Sequence, residues 1–220
     1  MHYCKRSMNL STFIYLVLVL CIPYLWYIRH STSPKRGFSI LFVGIISTIL
    51  LIKFNLIVLI AIALLFSILF HKNKFLSDSS FMLSFLLLIY EAVNMLGENL
   101  VINIVPILLV SGIFSLMMIG HWFLVDPTIT RDGMKNIAKS SMFVSSLLCL
   151  LLVARFLSPD ITDLYRSVII GLYISSAVLS LGSLKSLNET SYTGVMAATG
   201  LSYLSLLVSL GGTGTLILLP

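Results

Sequence analysis

FSILFVGIISTILLIKFNLIVLIAIALLFSILF, residues 38 to 70, carries a single charge, Lys53, in its 33 positions. As one helix it would run about 50 Å at 1.5 Å per residue, well beyond the roughly 30 Å hydrocarbon layer that about 20 residues cross. As two full spans it is short. Lys53 and Asn55 lie near its middle and interrupt the apolar run. A tight polar turn at that point divides the block into one helix over 37–52 and a second over 54–71. The choice sets the direction of every later segment, so the topology depends on it.

Working outward, the segments 9–28, 79–97, 100–125, 138–157, 162–184 and 192–212 are each predominantly apolar and long enough to span a bilayer. Tyr24, Trp26 and Tyr27 cluster at the end of the first, where amphipathic rings favour the headgroup layer, and Arg29, His30, Lys35 and Arg36 follow. Pro106 is a point at which the 100–125 helix can kink, and Pro159 follows the end of the 138–157 helix. Three glycines in the four positions 211–214 weaken a helix, so the last residues are expected to fray or fold back. Lys5 and Arg6 precede the first apolar stretch as in a signal peptide, but no small-residue cleavage site follows, and the stretch reads as a retained helix.

Eight helices consume most of the 220 residues, of which 58% are hydrophobic and 10% charged. With a mean hydropathy of +1.06, the expected fold is all-α: a polytopic transmembrane bundle forming one integral membrane domain over 1–220, without a soluble domain. The Lys and Arg residues divide five to nine between the two sides, the nine lying in 29–36, 72–74, 131–139 and at Lys185. The positive-inside rule makes that side cytoplasmic and places both termini outside.

Ionisable groups within spans are costly unless paired or hydrated, so they are the most informative residues. Glu91, Asn94 and Glu98 fall at i, i+3 and i+7, on one face of the 79–97 helix that Ser84 extends. That stripe should face protein. Arg155 and Arg166 lie on the same predicted side, so the residues form either an ion-pair network joining the fourth, sixth and seventh helices, or a proton path or ligand site. At the other side "GHWFLVDP", residues 120–127, ends the fifth helix. His121 and Trp122 read as interfacial anchors or as contacts for a lipophilic ligand, and Pro127 biases Asp126 away from helical geometry.

The stretch 128–140 sets Arg131, Lys135 and Lys139 four apart; if helical, it forms a basic stripe that contacts anionic lipid headgroups, with Met134 and Ile137 turned elsewhere. Small residues recur at spacings of four in Gly171 with Ser175, Ser176 with Ser180, and Gly194 with Ala198 and Ser202, a pattern that allows close helix contact in lipid. Ser202, Ser205 and Ser209 could instead line a pore. Cys4, Cys21 and Cys149 form no CxxC pair and read as small buried hydrophobes. His30, His71 and His121 share a side without metal-ligand spacing, so no metal is expected; haem or quinone is conceivable but lacks spacing support. No nucleophile elbow, HExxH or P-loop is present, and scattered basic residues without a reading module argue against nucleic acid.

The second half of the chain resembles a group of uncharacterised bacterial multi-spanning membrane proteins, through "GHWFLVDP" (120–127) and "AATGLSYLSLLVSLGG" (197–212). Those proteins close one helix with a Gly-His-Trp-aromatic-Leu-Val-x-Pro signature. The resemblance implies the bacterial cytoplasmic membrane as the location and that Gly120, His121, Trp122 and Pro127 matter, but it brings no activity; the Gly-Glu pair of the pattern is replaced here by Gly211, Gly212 and Thr213. The resulting expectation is a non-enzymatic membrane subunit or binding protein for a lipophilic small molecule, quinone or lipid, or for partner membrane subunits. The alternative is a proton-linked or small-solute transporter using the acidic stripe.

Overall fold

A computed structural model gives the fold and describes residues 8–31, 36–51, 55–70, 74–96, 100–157 and 161–218. Among these residues the chain is all-helical: α1 (Leu10–Ser31), α2 (Arg36–Leu50), α3 (Leu56–Phe70), α4 (Lys74–Leu96), α5 (Leu100–Val125), α6 (Asp132–Val153), α7 (Asp163–Asn188) and α8 (Tyr192–Leu218). Six of them are long and apolar enough to cross a membrane; α2 and α3, of 15 residues each, are shorter. The 38–70 block is thus two helices, with ends within two residues of those expected, and the intervening 52–54 lie outside the described residues.

α1 and α5 form the middle of the bundle. Along α1 nearly every residue from Thr12 to Ile22 is buried, because α2, α4, α5 and α6 all pack on it. α3 and α4 form one flank, joined by Ser84, whose hydroxyl donates to the Ala61 carbonyl at 2.9 Å. α6, α7 and α8 form the other, with α8 also against α5. The outer faces stay apolar: Phe75, Leu150, Leu164 and Leu207 are among many large exposed side chains. Water would penalise such a surface and hydrocarbon would not.

Polar contacts tie four connections together at one end. Thr130 Oγ1 donates to the Ser31 carbonyl at 3.1 Å, Asn136 to the Tyr27 hydroxyl at 2.7 Å, Arg29 to Ser77 Oγ at 2.6 Å, and Arg131 to the carbonyls of Glu189, Thr190 and Ser191. Among the described residues, Arg29, Arg36, Lys74, Arg131, Lys135, Lys139 and Lys185 belong to this end, and we call it the basic end.

Five boundaries depart from expectation by four residues or more, one of them the end of α6, at Val153 rather than 157 because Ala154 and Arg155 turn out of the helix. α4 starts at Lys74 rather than 79, and α7 runs on to Asn188 because Ser183 and Leu187 are buried, Ser183 on α8 through the Ala198 carbonyl at 3.2 Å. α6 starts at Asp132 rather than 138. Its first turns read as polar, yet Gly133, Met134, Ile137 and Ala138 are buried on the inner side, and Asp132 suits a helix N-terminus. α8 continues through the glycine run to Leu218. There Gly212 lies against Leu172 and Tyr173, and the Tyr173 hydroxyl meets Thr213 Oγ1 at 3.0 Å, so packing on α7 outweighs the weak helix propensity.

Small residues set the α7–α8 seam. Ser205 Oγ lies 3.1 Å from Ser176 Oγ and 3.3 Å from Ser180 Oγ, and Ser145 of α6 donates to Ser176 at 3.3 Å. Gly194, Ala198, Ser202 and Ser209 are buried along it. The Gly171 and Ser175 pair does not join: both are exposed and Gly171 has open space beside it, so that spacing faces outward.

Candidate functional site

The acidic stripe faces protein, but not the helices expected. Ser84 is fully buried on α3 and Glu91 is 8% exposed; Asn94 is exposed, and Glu98 lies outside the described residues. Glu91 Oε1 accepts from Asn55 Nδ2 at 2.9 Å, at the entry to α3. The carboxylate therefore holds Asn55, the residue that leads into α3. The network with Arg155 and Arg166 does not form among the described residues, because α4 packs on α3 and α1, across the bundle from α7.

Asp163 meets both arginines instead, Arg155 at 3.0 Å and Arg166 at 3.7 Å. Arg155 has φ +59°, directly after the last turn of α6. Its N–H and that of Phe156 return to the carbonyls of Leu152 and Leu151, the hydrogen-bond pair of a left-handed helix stop usually given to glycine. Arg155 thus ends α6 at an exposed position.

The end of α5 is used for packing. A methyl group built on Gly120 would lie 2.5 Å from Thr199 Oγ1, so the glycine of the 120–127 signature meets the threonine of the 197–212 segment where α5 crosses α8. Trp122 is half-buried against α2: its ring atoms fill the space over Gly37, and its ring centroid is 6.0 Å from that of Phe38. Its indole N–H is buried without an acceptor among the described residues. His121 is exposed. Pro127, also exposed, follows buried Asp126, whose Oδ1 accepts from the Thr128 N–H at 3.4 Å and hydroxyl at 2.6 Å, closing the turn after α5.

Of the basic stripe, Arg131 is withdrawn. Besides its three carbonyl partners at the α7–α8 connection, its guanidinium lies 5.4 Å over the Phe123 ring. Five donors in a planar fork suit a cluster of carbonyls, and this leaves exposed Lys139 and half-buried Lys135 for an outside partner.

Two apolar clefts open beside α1 at the basic end, on either side of Pro23. One, of about 300 Å³, lies between α1, α5 and α6 and is lined by Tyr24, Leu108, Ile137 and Ser140, with the Asn136 to Tyr27 hydrogen bond at its edge. The other, of about 320 Å³, lies between α1 and α4, lined by Trp26, Phe75, Asp78, Phe81, Met82 and Phe85 among others. Polar groups gather at its mouth. His30 Nε2 is 3.4 Å from Asp78 Oδ2, and Arg29 donates to the adjoining Ser77. His30 also stacks on Trp26, with ring centroids 4.6 Å apart.

Neither His121 nor Trp122 lines these clefts. Sequence reasoning misses Asp78 and its neighbours, because the apolar run puts the start of this helix at 79 and not at Lys74. Phe75, Asp78, Met82 and Phe85, at i, i+3, i+7 and i+10, were a legible face once α4 is started at Lys74. Cys21 is fully buried and Cys149 partly so; among the described residues no three of His, Cys, Asp and Glu come together as a metal would require. No family model, no curated protein and no solved structure matches the chain.

Proposed function

We propose that the chain is an integral membrane protein of the bacterial cytoplasmic membrane, with both termini outside, that binds a lipophilic small molecule, a lipid or a quinone, without chemically transforming it. The observation that carries this reading is the pair of clefts flanking Pro23. Both are apolar inside, both open at the basic end, and both reach the lower edge of the size range typical of ligand sites, roughly 300 Å³ and upward. Tyr24, Trp26 and Tyr27 suit that end to a headgroup layer, where an amphiphile keeps its polar group while its tail follows the apolar groove. Trp122, at the same end, contributes by fixing α5 against α2.

Ser79 lines the α1–α4 cleft and is exposed, so a large side chain there fills the groove without entering the core. The full chain, purified in mild detergent and extracted into organic solvent, is expected to yield a lipophile in stoichiometric amount by mass spectrometry. Ser79→Trp is expected to lower that yield severalfold without lowering thermal stability. Equal yield from both proteins, or no lipophile from either, would overturn the reading.

A further inference from the structure

The mouth of the α1–α4 cleft has an unmatched acceptor pair. His30 Nδ1 lies 2.9 Å from the Trp26 carbonyl. A carbonyl only accepts, so Nδ1 carries the hydrogen, and in the neutral ring Nε2 is then an acceptor. That acceptor faces a second one, Asp78 Oδ2, at 3.4 Å. A donor belongs between them: a second ring proton or an N–H group from outside. On the residue before Asp78, Ser77 Oγ accepts from Arg29 Nη1 and is the acceptor this guanidinium meets among the described residues, which leaves most of its five-donor fork for another anion. Arg29 and His30 are consecutive on α1, and Ser77 and Asp78 on α4, so a positive and a negative group are held in neighbouring contacts at the mouth of an apolar groove.

We propose that this mouth recognises a zwitterionic glycerophospholipid carrying a primary ammonium, of the phosphoethanolamine type. The ammonium bridges Asp78 Oδ2 and His30 Nε2 from the open side, the phosphate lies on Arg29, and an acyl chain runs along Pro23, Phe81, Met82 and Phe85. Three N–H donors satisfy both acceptors and leave one for solvent. A choline head group carries the same charge but no N–H, and a glycerol head group has hydroxyls but no positive charge, so both leave the pair unmatched. The inference rests on the reading of this cleft as a lipophile site, and adds the head group.

The test is native mass spectrometry of the full chain released from nanodiscs holding equal amounts of phosphatidylethanolamine, phosphatidylcholine and phosphatidylglycerol with identical acyl chains. Wild type is expected to retain the ethanolamine lipid about fivefold over the choline lipid, the preference one partly exposed charge-assisted contact gives. Asp78→Asn is expected to erase that preference while total retained lipid stays the same, and Arg29→Gln to lower the total of all three phospholipids retained relative to wild type. If wild type retains the three lipids equally, or prefers the choline or glycerol lipid, while Ser79→Trp removes them, the cleft holds lipid and the head-group assignment is wrong. If no lipid is retained by any variant, the underlying cleft reading falls with it.

Discussion

Gly120→Leu is expected to yield no folded, monodisperse protein, whereas Gly44→Leu is expected to fold like wild type. The difference lies in what each position meets. Beside Gly44 there is open space, and a side chain there only enlarges the apolar outer surface. Beside Gly120, Thr199 presents Oγ1 at 2.5 Å, Cβ at 3.3 Å and Cγ2 at 3.4 Å, so a side chain there must turn the threonine out of its position or push the helices apart. Thr199 Oγ1 is moreover held by the Val195 carbonyl at 2.8 Å. Even Gly120→Ala is expected to cost about 1–3 kcal/mol, the usual range for forcing added carbon into a packed interior. Adding Thr199→Ala to Gly120→Ala removes the closest atoms and should recover most of that loss; thermal unfolding of the two single variants and the double variant in one detergent measures the coupling. A Gly120→Leu protein as stable as Gly44→Leu would mean that α5 and α8 do not cross here.

Ser205→Leu should be nearly as damaging, and Ser205→Ala mild. Ser205 is 1% exposed and its hydroxyl meets Ser176 and Ser180 of α7. Alanine removes one member of a redundant hydroxyl cluster. In membrane helices such an interhelical bond contributes about 0.6 kcal/mol on average, and Ser176 keeps Ser145 as a partner. Leucine adds three carbons beyond the Cβ where two helices touch, and drives α7 from α8 at a cost of about 1–3 kcal/mol or more. A pore-lining serine would behave differently, since leucine in a water-filled passage need not displace a helix. Unfolding midpoints of the two variants against wild type decide the matter: equal stability of Ser205→Leu and Ser205→Ala would argue against a close-packed seam.

How far the sequence could be read depended on the kind of question. The division of 38–70 at Lys53 and Asn55 was legible because length alone excluded one helix and the polar residues marked the break. The start of α6 was misread because the apolar run was followed instead of its periodicity. Met134, Ile137, Ser141, Ser145, Leu148 and Leu152 are all buried, at the three- and four-residue spacing of one inner face that continues unbroken from the polar first turns. The C-terminal glycines misled for the opposite reason: propensity is a local quantity, and the contact of Gly212 and Thr213 with α7 is not. For the acidic stripe, spacing gave the face of Glu91 correctly but could not name the helix opposite. Short connections made α3 the neighbour and Asn55 the partner, while Asp163, three residues from Arg166, took the arginines. The cleft at Asp78 needed two helices in register, information that one periodic segment does not hold.

All of this presupposes that α2 and α3 cross the bilayer in opposite directions, so that the Asn55 turn and the end of α5 face different compartments. With Cys4, Cys21 and Cys149 replaced by alanine, single cysteines at the exposed positions Asn55 and His121 can be labelled in sealed vesicles with a membrane-impermeant thiol reagent. The account predicts that Asn55→Cys and His121→Cys are modified from opposite sides. Modification of both from the same side would contradict it.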